Sequence, residues 1–170
     1  MTTLVIYAII ISVMMKISTK TEYGLRCLLC LTREAEGESL SIAQIAVIEH
    51  VPKHYAQQIL MCLRRAGLVK SIRGTDGGFA LARSAEDISV GEVVRVLEGI
   101  PFQDTCRKFN QRSDCGHTGD CSIRPIWEMI NQRLWEALDS IQLRHLMTDE
   151  KTMGVTLIRE LPILDVRHSL

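Results

Sequence analysis

The chain has 170 residues, of which 46% are hydrophobic and 24% are charged. These are ordinary globular values, so they exclude a disordered chain, a collagen or a coiled-coil rod as a description of the whole molecule. Twenty basic and twenty acidic residues cancel, but residues 1–85 carry ten Lys and Arg against six Asp and Glu, and residues 86–170 carry ten against fourteen. A basic half joined to an acidic half predicts one module for a polyanion and another with a different role.

The amino-terminal segment is an apolar run over residues 4–15. It has about twelve residues where a membrane span needs about twenty, and it has neither the basic flank nor the cleavage site of a signal peptide. Regular patterning begins at Met15, so we expect residues 1–14 to be a mis-assigned start or a disordered extension. The six cysteines are too sparse for a secreted disulfide framework. We therefore expect a cytoplasmic protein with no membrane partner.

Four helices are predicted from capping residues and from hydrophobic residues spaced three and four apart. Proline favours the first turn of a helix, and glycine is typical just beyond its last turn. The predicted boundary signals are the capping boxes Thr19–Glu22, Ser41–Gln44 and Ser89–Glu92, Pro52 at the start of the third helix, and the terminating glycines Gly67 and Gly99.

A β-hairpin is predicted between the third and fourth helices, where residues 68–73 and 79–83 flank a glycine-rich tip. Helix, short helix, helix, hairpin is the order of a winged helix-turn-helix. Later, apolar residues spaced three and four apart from Ile123 to Ile141 predict one long helix from residue 122 to about residue 147. Such a helix needs a partner helix from a second subunit. We expect a mainly α chain with a small β-hairpin, divided into a winged helix-turn-helix DNA-binding domain (15–85), a connecting helix and cysteine loop (86–121), a dimerisation helix (122–148) and an unassigned tail (149–170).

The third helix has the residues expected of an element that reads DNA. In a winged helix-turn-helix this helix enters the major groove, where glutamine pairs with adenine and lysine or arginine contacts phosphate or guanine. Arginine and glycine in the wing allow close approach to phosphate or to the minor groove. The alternative is an ordinary solvated face beside an ordinary hairpin. The expected DNA-contacting residues are Lys53, His54, Tyr55, Gln57, Gln58, Arg64, Arg73, Gly74, Gly77 and Gly78.

Three cysteines, Cys106, Cys115 and Cys121, lie within sixteen residues of a polar, glycine-containing segment. Thiolates suit iron–sulfur clusters, and zinc accepts them as well. The residues alone leave open an iron–sulfur site, a zinc site with His117 as fourth ligand, and three free thiols.

The other cysteines are expected to be structural. Cys27 and Cys30 form a C-x-x-C pattern, but they lie on the inward face of the first helix. Free cysteine in such a position behaves as a small apolar residue. We expect the same of Cys62.

The segment from Leu63 to Arg83, which reads LRRAGLVKSIRGTDGGFALAR, closely resembles the Rrf-two (Rrf2) family of bacterial transcription regulators. This is the family of IscR, NsrR and RirA. The opening from Met15 to Arg26, MKISTKTEYGLR, is similar to the usual start of the family. The resemblance implies a homodimer that binds palindromic promoter DNA. In many members it also implies sensing of iron–sulfur status, nitric oxide or redox state through a cluster.

The three-cysteine arrangement is similar to that of cluster-binding members, which implies an iron–sulfur cluster held by Cys106, Cys115 and Cys121. The first gap is longer than is usual in the family, and Arg124 stands where IscR-type proteins carry a histidine ligand. A [4Fe–4S] cluster with one oxygen ligand is therefore preferred slightly over [2Fe–2S]. Glu22 matches the position from which some members donate a carboxylate across the dimer, and otherwise it is a capping residue. Lesser candidates for the fourth ligand are Asp114, His117 and Asp120.

Two other functions stay open at this point. One is a regulator of the same fold that contains zinc or senses thiol oxidation without a cluster. The other is an iron–sulfur protein that does not bind DNA. An enzyme is not expected, since no nucleophile–base set and no phosphate-binding loop is present in the sequence.

Overall fold

The structure, a computed structural model, describes residues 18–34, 38–74, 77–99 and 121–160. Over these residues the chain is mainly helical with one antiparallel β-hairpin, which confirms the predicted fold class. The elements in chain order are α1 (Thr19–Thr32), α2 (Ile42–Ile48), α3 (Lys53–Arg65), β1 (Val69–Ile72), β2 (Gly78–Leu81), α4 (Val90–Glu98), α5 (Arg124–Ser140), a 3₁₀ helix (Leu143–Met147) and α6 (Glu150–Glu160).

Helices α2 and α4 begin at the predicted caps. The Gln44 backbone N–H donates to Ser41 Oγ at 3.3 Å, and the Ser41 N–H donates to Gln44 Oε1 at 2.9 Å, so that capping box is complete. Ser89 caps α4 by accepting from the Glu92 N–H at 3.1 Å. The Glu92 carboxylate, however, accepts from Arg83 at 2.6 Å, so this cap is not reciprocal.

The capping box predicted at Thr19 and Glu22 is wrong. The residue before the helix is Ser18, and its side chain makes no local capping bond. It donates instead to the carboxylate of Glu98, at the far end of α4. The Glu22 carboxylate accepts from Arg26, one turn further along α1, at 2.6 Å. A carboxylate that is distant in sequence therefore replaces the local cap.

The hairpin pairs Val69 with Leu81 and Ile72 with Gly78 in antiparallel register. Its tip turns at Gly74, whose φ of 141° favours glycine. Leu40 joins the hairpin as a single bridge to Phe79: the Leu40 N–H donates to Phe79 O at 3.0 Å, and the Phe79 N–H donates to Leu40 O at 2.8 Å. This bridge attaches the wing to the chain just before α2.

The core lies between α1, α3, α4 and the hairpin. Cys27 and Cys30 are buried within it, which confirms their prediction as small core residues. Burial raises the pKa of the Cys27 thiol to about 12, so this thiol stays protonated at neutral pH. Cys62 is half-buried, and its thiol donates to Val96 O at 3.7 Å.

The prediction of one helix through residue 147 is wrong. Helix α5 ends at Ser140, and Ile141 is extended, with φ of −95° and ψ of 116°. The Val90 N–H donates to Ile141 O at 2.7 Å, and the Leu143 N–H donates to Ile88 O at 2.9 Å. Burial of Leu143 in the core stabilises this short extended pairing, which interrupts the helix.

The tail expected to be unassigned contains α6. The Asp149 carboxylate caps this helix, because it accepts from the Thr152 N–H at 3.0 Å and from the Thr152 hydroxyl at 2.7 Å. These hydrogen bonds hold the pKa of Asp149 below its usual value. Residues 1–14 and 161–170 lie outside the described residues.

Candidate nucleic-acid interface and cysteine site

Helix α3 places its polar side chains on one exposed face. Pro52 precedes its first residue, and Ala56, Ile59, Leu60 and Leu63 are buried against the core. The remaining face is exposed because the apolar residues take the inward positions. The exposed residues are Lys53, His54, Gln57, Gln58, Arg64 and Arg65.

Tyr55 differs from the other residues expected to contact DNA. It is half-buried, and its ring packs edge to face against Tyr23 of α1, with 5.9 Å between the ring centroids. Such a contact stabilises the packing of two aromatic rings. Tyr55 therefore helps to orient α3 relative to α1. Only part of its side chain is open to solvent.

The wing continues the basic surface of α3. Arg64 Nη1 donates to the Ser71 hydroxyl of β1 at 3.4 Å, which links the end of α3 to the hairpin. Lys70 and Arg73 are exposed beside it. No Asp or Glu occurs in residues 53–74, and within the described part of the chain these cations make no ion pair with a carboxylate. The surface can therefore accept an extended polyanion.

The three wing glycines have different structural roles. Gly74 is exposed in open space with a positive φ. A Cβ at Gly77 would lie 2.6 Å from Ile72 O, and the Gly77 N–H closes the turn onto Gly74 O at 3.1 Å. A Cβ at Gly78 would overlap the Leu40 carbonyl and lie 2.8 Å from Ser41 N. Backbone packing thus already requires glycine at 77 and 78, a reason that sequence reasoning missed.

The cysteine site is only partly described. Cys121 is half-buried just before α5, and its carbonyl accepts from the Arg124 N–H at 3.2 Å. It is not part of the hydrophobic core, unlike Cys27 and Cys30. Among the described residues, no three His, Cys, Asp or Glu side chains come together as metal ligands. The other expected candidates, Cys106, Cys115, Asp114, His117 and Asp120, lie outside the described residues.

Glu22 is exposed at the first turn of α1 and is paired with Arg26. Both side chains are about half exposed, at 56% for Glu22 and 49% for Arg26. An exposed ion pair of this kind contributes only about 0–1 kcal/mol. The Glu22 carboxylate can therefore exchange this partner for another at small cost.

Helix α5 is attached to α4 near the carboxyl end of α5. Arg95 of α4 donates to both Asp139 oxygens at 2.6 Å, and its guanidinium lies 4.2 Å from the centre of the Trp135 ring. Gly91 permits this approach, because a Cβ there would overlap the Asp139 carboxylate. The periodicity of the sequence gave no signal for this contact.

The amino-terminal part of α5 exposes a run of apolar side chains. Ile123, Ile126 and Met129 are 56%, 50% and 57% exposed, and Trp127 is 37% exposed. The helix has no buried residue in the described part of the chain. A contiguous apolar surface of this kind is typical of a contact with another protein chain. None of the described helices combines the length and hydropathy needed to cross a membrane.

Comparison with known proteins assigns the family. Residues 17–149 match the Rrf2 family, described as an iron-dependent transcriptional regulator. The protein rrf2 of Nitratidesulfovibrio vulgaris is 33% identical over 79% of this chain and 89% of its own length. The structure of CymR, the global cysteine regulator of B. subtilis, matches with a TM-score of 0.64 and 36% identity over 79% of this chain and 99% of that one. IscR of T. potens matches with a TM-score of 0.63 and 34% identity over 78% of this chain and 86% of that one. The chain therefore belongs to the Rrf2 family of DNA-binding transcriptional regulators.

Proposed function

We propose that two copies of this chain bind a palindromic promoter duplex. We further propose that an iron–sulfur cluster sets their affinity for this duplex, and that the cluster is held by the cysteine segment, residues 100–121. The observation that carries the DNA-binding geometry is the exposed face of α3, which has no acidic residue and continues into the basic wing. On this surface, Gln57 and Gln58 would read base edges, and Lys53 and Arg73 would contact phosphates or the minor groove.

The proposed homodimer rests on α5. Its exposed apolar residues, among them Ile126 and Met129, would pack against the same surface of a second copy. The attachment of α5 through Arg95 and Asp139 would then fix how the two α3 helices are spaced. Half-sites in a palindrome require such fixed spacing.

The proposed cluster rests on the chemistry of the donor set. Cys106, Cys115 and Cys121 offer three soft thiolates, and Cys121 lies outside the hydrophobic core, where it is free to act as a ligand. Glu22 of the partner subunit would supply an oxygen after leaving Arg26, which suits a [4Fe–4S] cluster better than [2Fe–2S]. The family description as iron-dependent supports this proposal. A bound cluster would supply chemistry that responds to iron supply, oxidants or nitric oxide.

A second candidate is a regulator of the same fold that senses thiol chemistry without a cluster, or that holds zinc. The similarity to CymR, the global cysteine regulator of B. subtilis, favours this candidate. In that case an external oxidant would take two electrons from two of the thiols of Cys106, Cys115 and Cys121 to form one disulfide, or the three thiolates would bind zinc. The two candidates differ in iron and acid-labile sulfide content.

Gln58 provides a test of whether α3 contacts base edges. Gln58→Ala should lower affinity for the operator by about 5–150-fold for each half-site, because one bidentate base contact contributes about 1–3 kcal/mol and each bound chain loses one. Lys53→Ala should weaken operator and random duplexes alike and lower the salt slope by about two, because each of the two bound chains loses one phosphate contact. Fluorescence anisotropy over a range of salt concentrations measures both effects, with two chains expected per palindromic duplex.

Gln132→Ala on α5 is the matched control, since Gln132 is also an exposed glutamine that bonds within its own helix, to Glu136 at 2.8 Å. Its operator affinity should equal that of the unmodified chain. If Gln58→Ala discriminated operator from random duplex as well as Gln132→Ala does, α3 would not read bases through this residue.

Cysteine 121 provides a test of the cluster. Protein purified without oxygen should contain iron and acid-labile sulfide, and Cys121→Ser should lose both, because a hydroxyl is a poor substitute for a soft thiolate. Cys62→Ser is the control, as the half-buried Cys62 thiol bonds to Val96 O. Removing the iron from unmodified protein should change operator affinity by about 5–150-fold. Colourless protein without sulfide would reject the cluster and favour the second candidate.

A further inference from the structure

The start of α1 is tied to the end of α4 by a group of hydrogen bonds. One oxygen of Glu98, the last residue of α4, accepts from the Ser18 backbone N–H at 3.0 Å, from the Thr21 hydroxyl at 2.6 Å, and from the Ser18 hydroxyl. Lys20 Nζ adds a bond to the Leu97 carbonyl at 2.9 Å. The partners are 77–80 residues apart in sequence, so this is a tertiary junction.

The junction is partly buried and electrostatically favourable. Thr21 is fully buried, and it is the one buried polar side chain among the described residues. The Glu98 carboxylate lies at the amino-terminal end of α1, where unpaired N–H groups and the helix dipole favour a negative charge. Burial raises the pKa of Glu98, but the bonds from Ser18 and Thr21 outweigh burial and leave the pKa below its usual value. Glu98 is therefore charged at neutral pH.

Close packing connects this junction to α3. Gly24 of α1 lies against Leu97, so close that a Cβ would overlap the Leu97 side chain, and the same Cβ would lie 3.6 Å from Ile59 of α3. Tyr23 packs on Tyr55 of α3. A displacement of the end of α4 would therefore be passed through α1 to α3, because a packed core transmits strain.

The junction also lies where the cysteine segment begins. Gly99 ends α4 with a φ of 78°, and the chain continues from there into residues 100–120. We propose that Glu98 is a positioning residue, which carries changes in the cysteine segment through α1 to the DNA-reading helix. What those changes are, namely gain or loss of the cluster, rests on the proposed function. The bonds between Glu98 and α1 do not depend on that function.

The test compares Glu98→Ala with Glu92→Ala, a carboxylate of the same helix whose partner is Arg83 on the surface. Hydrogen exchange of the amides at residues 18–23 is measured in iron-loaded and iron-free protein, together with operator affinity. In unmodified protein and in Glu92→Ala, exchange at these amides and affinity should both differ between the two states. In Glu98→Ala the affinity ratio of the two states should fall to about one, from a starting ratio of about fivefold or more.

Two further variants separate positioning from folding. Glu98→Gln keeps an acceptor oxygen in place and should restore the difference between the two states. Thr21→Val removes a donor from the other side of the junction and should reduce that difference, even if Glu98→Ala fails to fold. If Glu98→Ala kept the unmodified affinity ratio while losing protection at residues 18–23, Glu98 would be a helix cap only, and the proposal would be overturned.

Failure of the proposed function has a separate signature. Protein that carries no iron or sulfide in any form would reject the cluster and leave the Glu98 junction to be judged by the operator affinity of the metal-free chain. In that case Glu98→Ala must weaken binding by about fivefold or more relative to Glu92→Ala. Equal affinity of the two variants would overturn the junction as well.

Discussion

Replacing Leu143 by alanine should lower the free energy of unfolding by about 2–5 kcal/mol, the range for removing a fully buried leucine side chain. Leu143 is 0% exposed and belongs to the same core as α1 and α3. It also holds the chain just beyond α5, where its N–H donates to Ile88 O at 2.9 Å. The substitution should therefore weaken the attachment of α5 as well as the core. Urea denaturation followed by circular dichroism and tryptophan fluorescence measures the loss.

Met147→Ala is the control for this prediction. Met147 belongs to the same 3₁₀ helix but is 49% exposed, so its replacement should change stability by less than about 0.5 kcal/mol. The proposed dimer through α5 should also form less readily in the Leu143→Ala protein under mild denaturation, which sedimentation measures. Equal stability of the two variants would show that Leu143 does not anchor α5 to the core.

Gly78→Ala should destabilise the wing and reduce operator binding together. The added methyl would overlap the Leu40 carbonyl, which is backbone and cannot rotate away as a flexible side chain would. Both hydrogen bonds between Leu40 and Phe79 would have to lengthen. We expect the free energy of unfolding to fall by an amount toward the upper end of about 1–3 kcal/mol, which is the usual cost of overpacking. Thermal unfolding and operator titration on the same sample measure the two effects.

Gly154→Ala is the matched control, because a Cβ at that exposed position of α6 meets nothing within 4 Å. Glycine inside a helix is less favourable than alanine by about 1 kcal/mol, so this variant should be as stable as the unmodified chain or more so. If Gly78→Ala were as stable as Gly154→Ala, the bridge between Leu40 and Phe79 would not constrain the wing. Loss of operator affinity without loss of stability would instead support direct contact between Gly78 and DNA.

Local signals in the sequence determined much of the winged helix-turn-helix. The cap at Ser41 and the turn at Gly74 depend on neighbouring residues alone, and both were predicted correctly. The exposed face of α3 followed from its hydrophobic spacing, because apolar residues turn inward and leave glutamine and arginine outside. The segment from Leu63 to Arg83 also identified the family. The ligands Cys106 and Cys115 remain predictions from the sequence.

Only the tertiary structure decided the features that join distant parts of the chain. Glu98 replaced the expected cap of α1, although nothing near Ser18 in the sequence indicates it. Pairing of Ile141 and Leu143 with residues 88–90 ended α5, although the hydrophobic spacing continues through Ile141. Gly78 and Gly91 are required by the backbone of Leu40 and by Asp139 respectively. Periodicity reports which residues turn inward, but the partner that each meets depends on how the elements pack, and that becomes fixed only when the chain is folded.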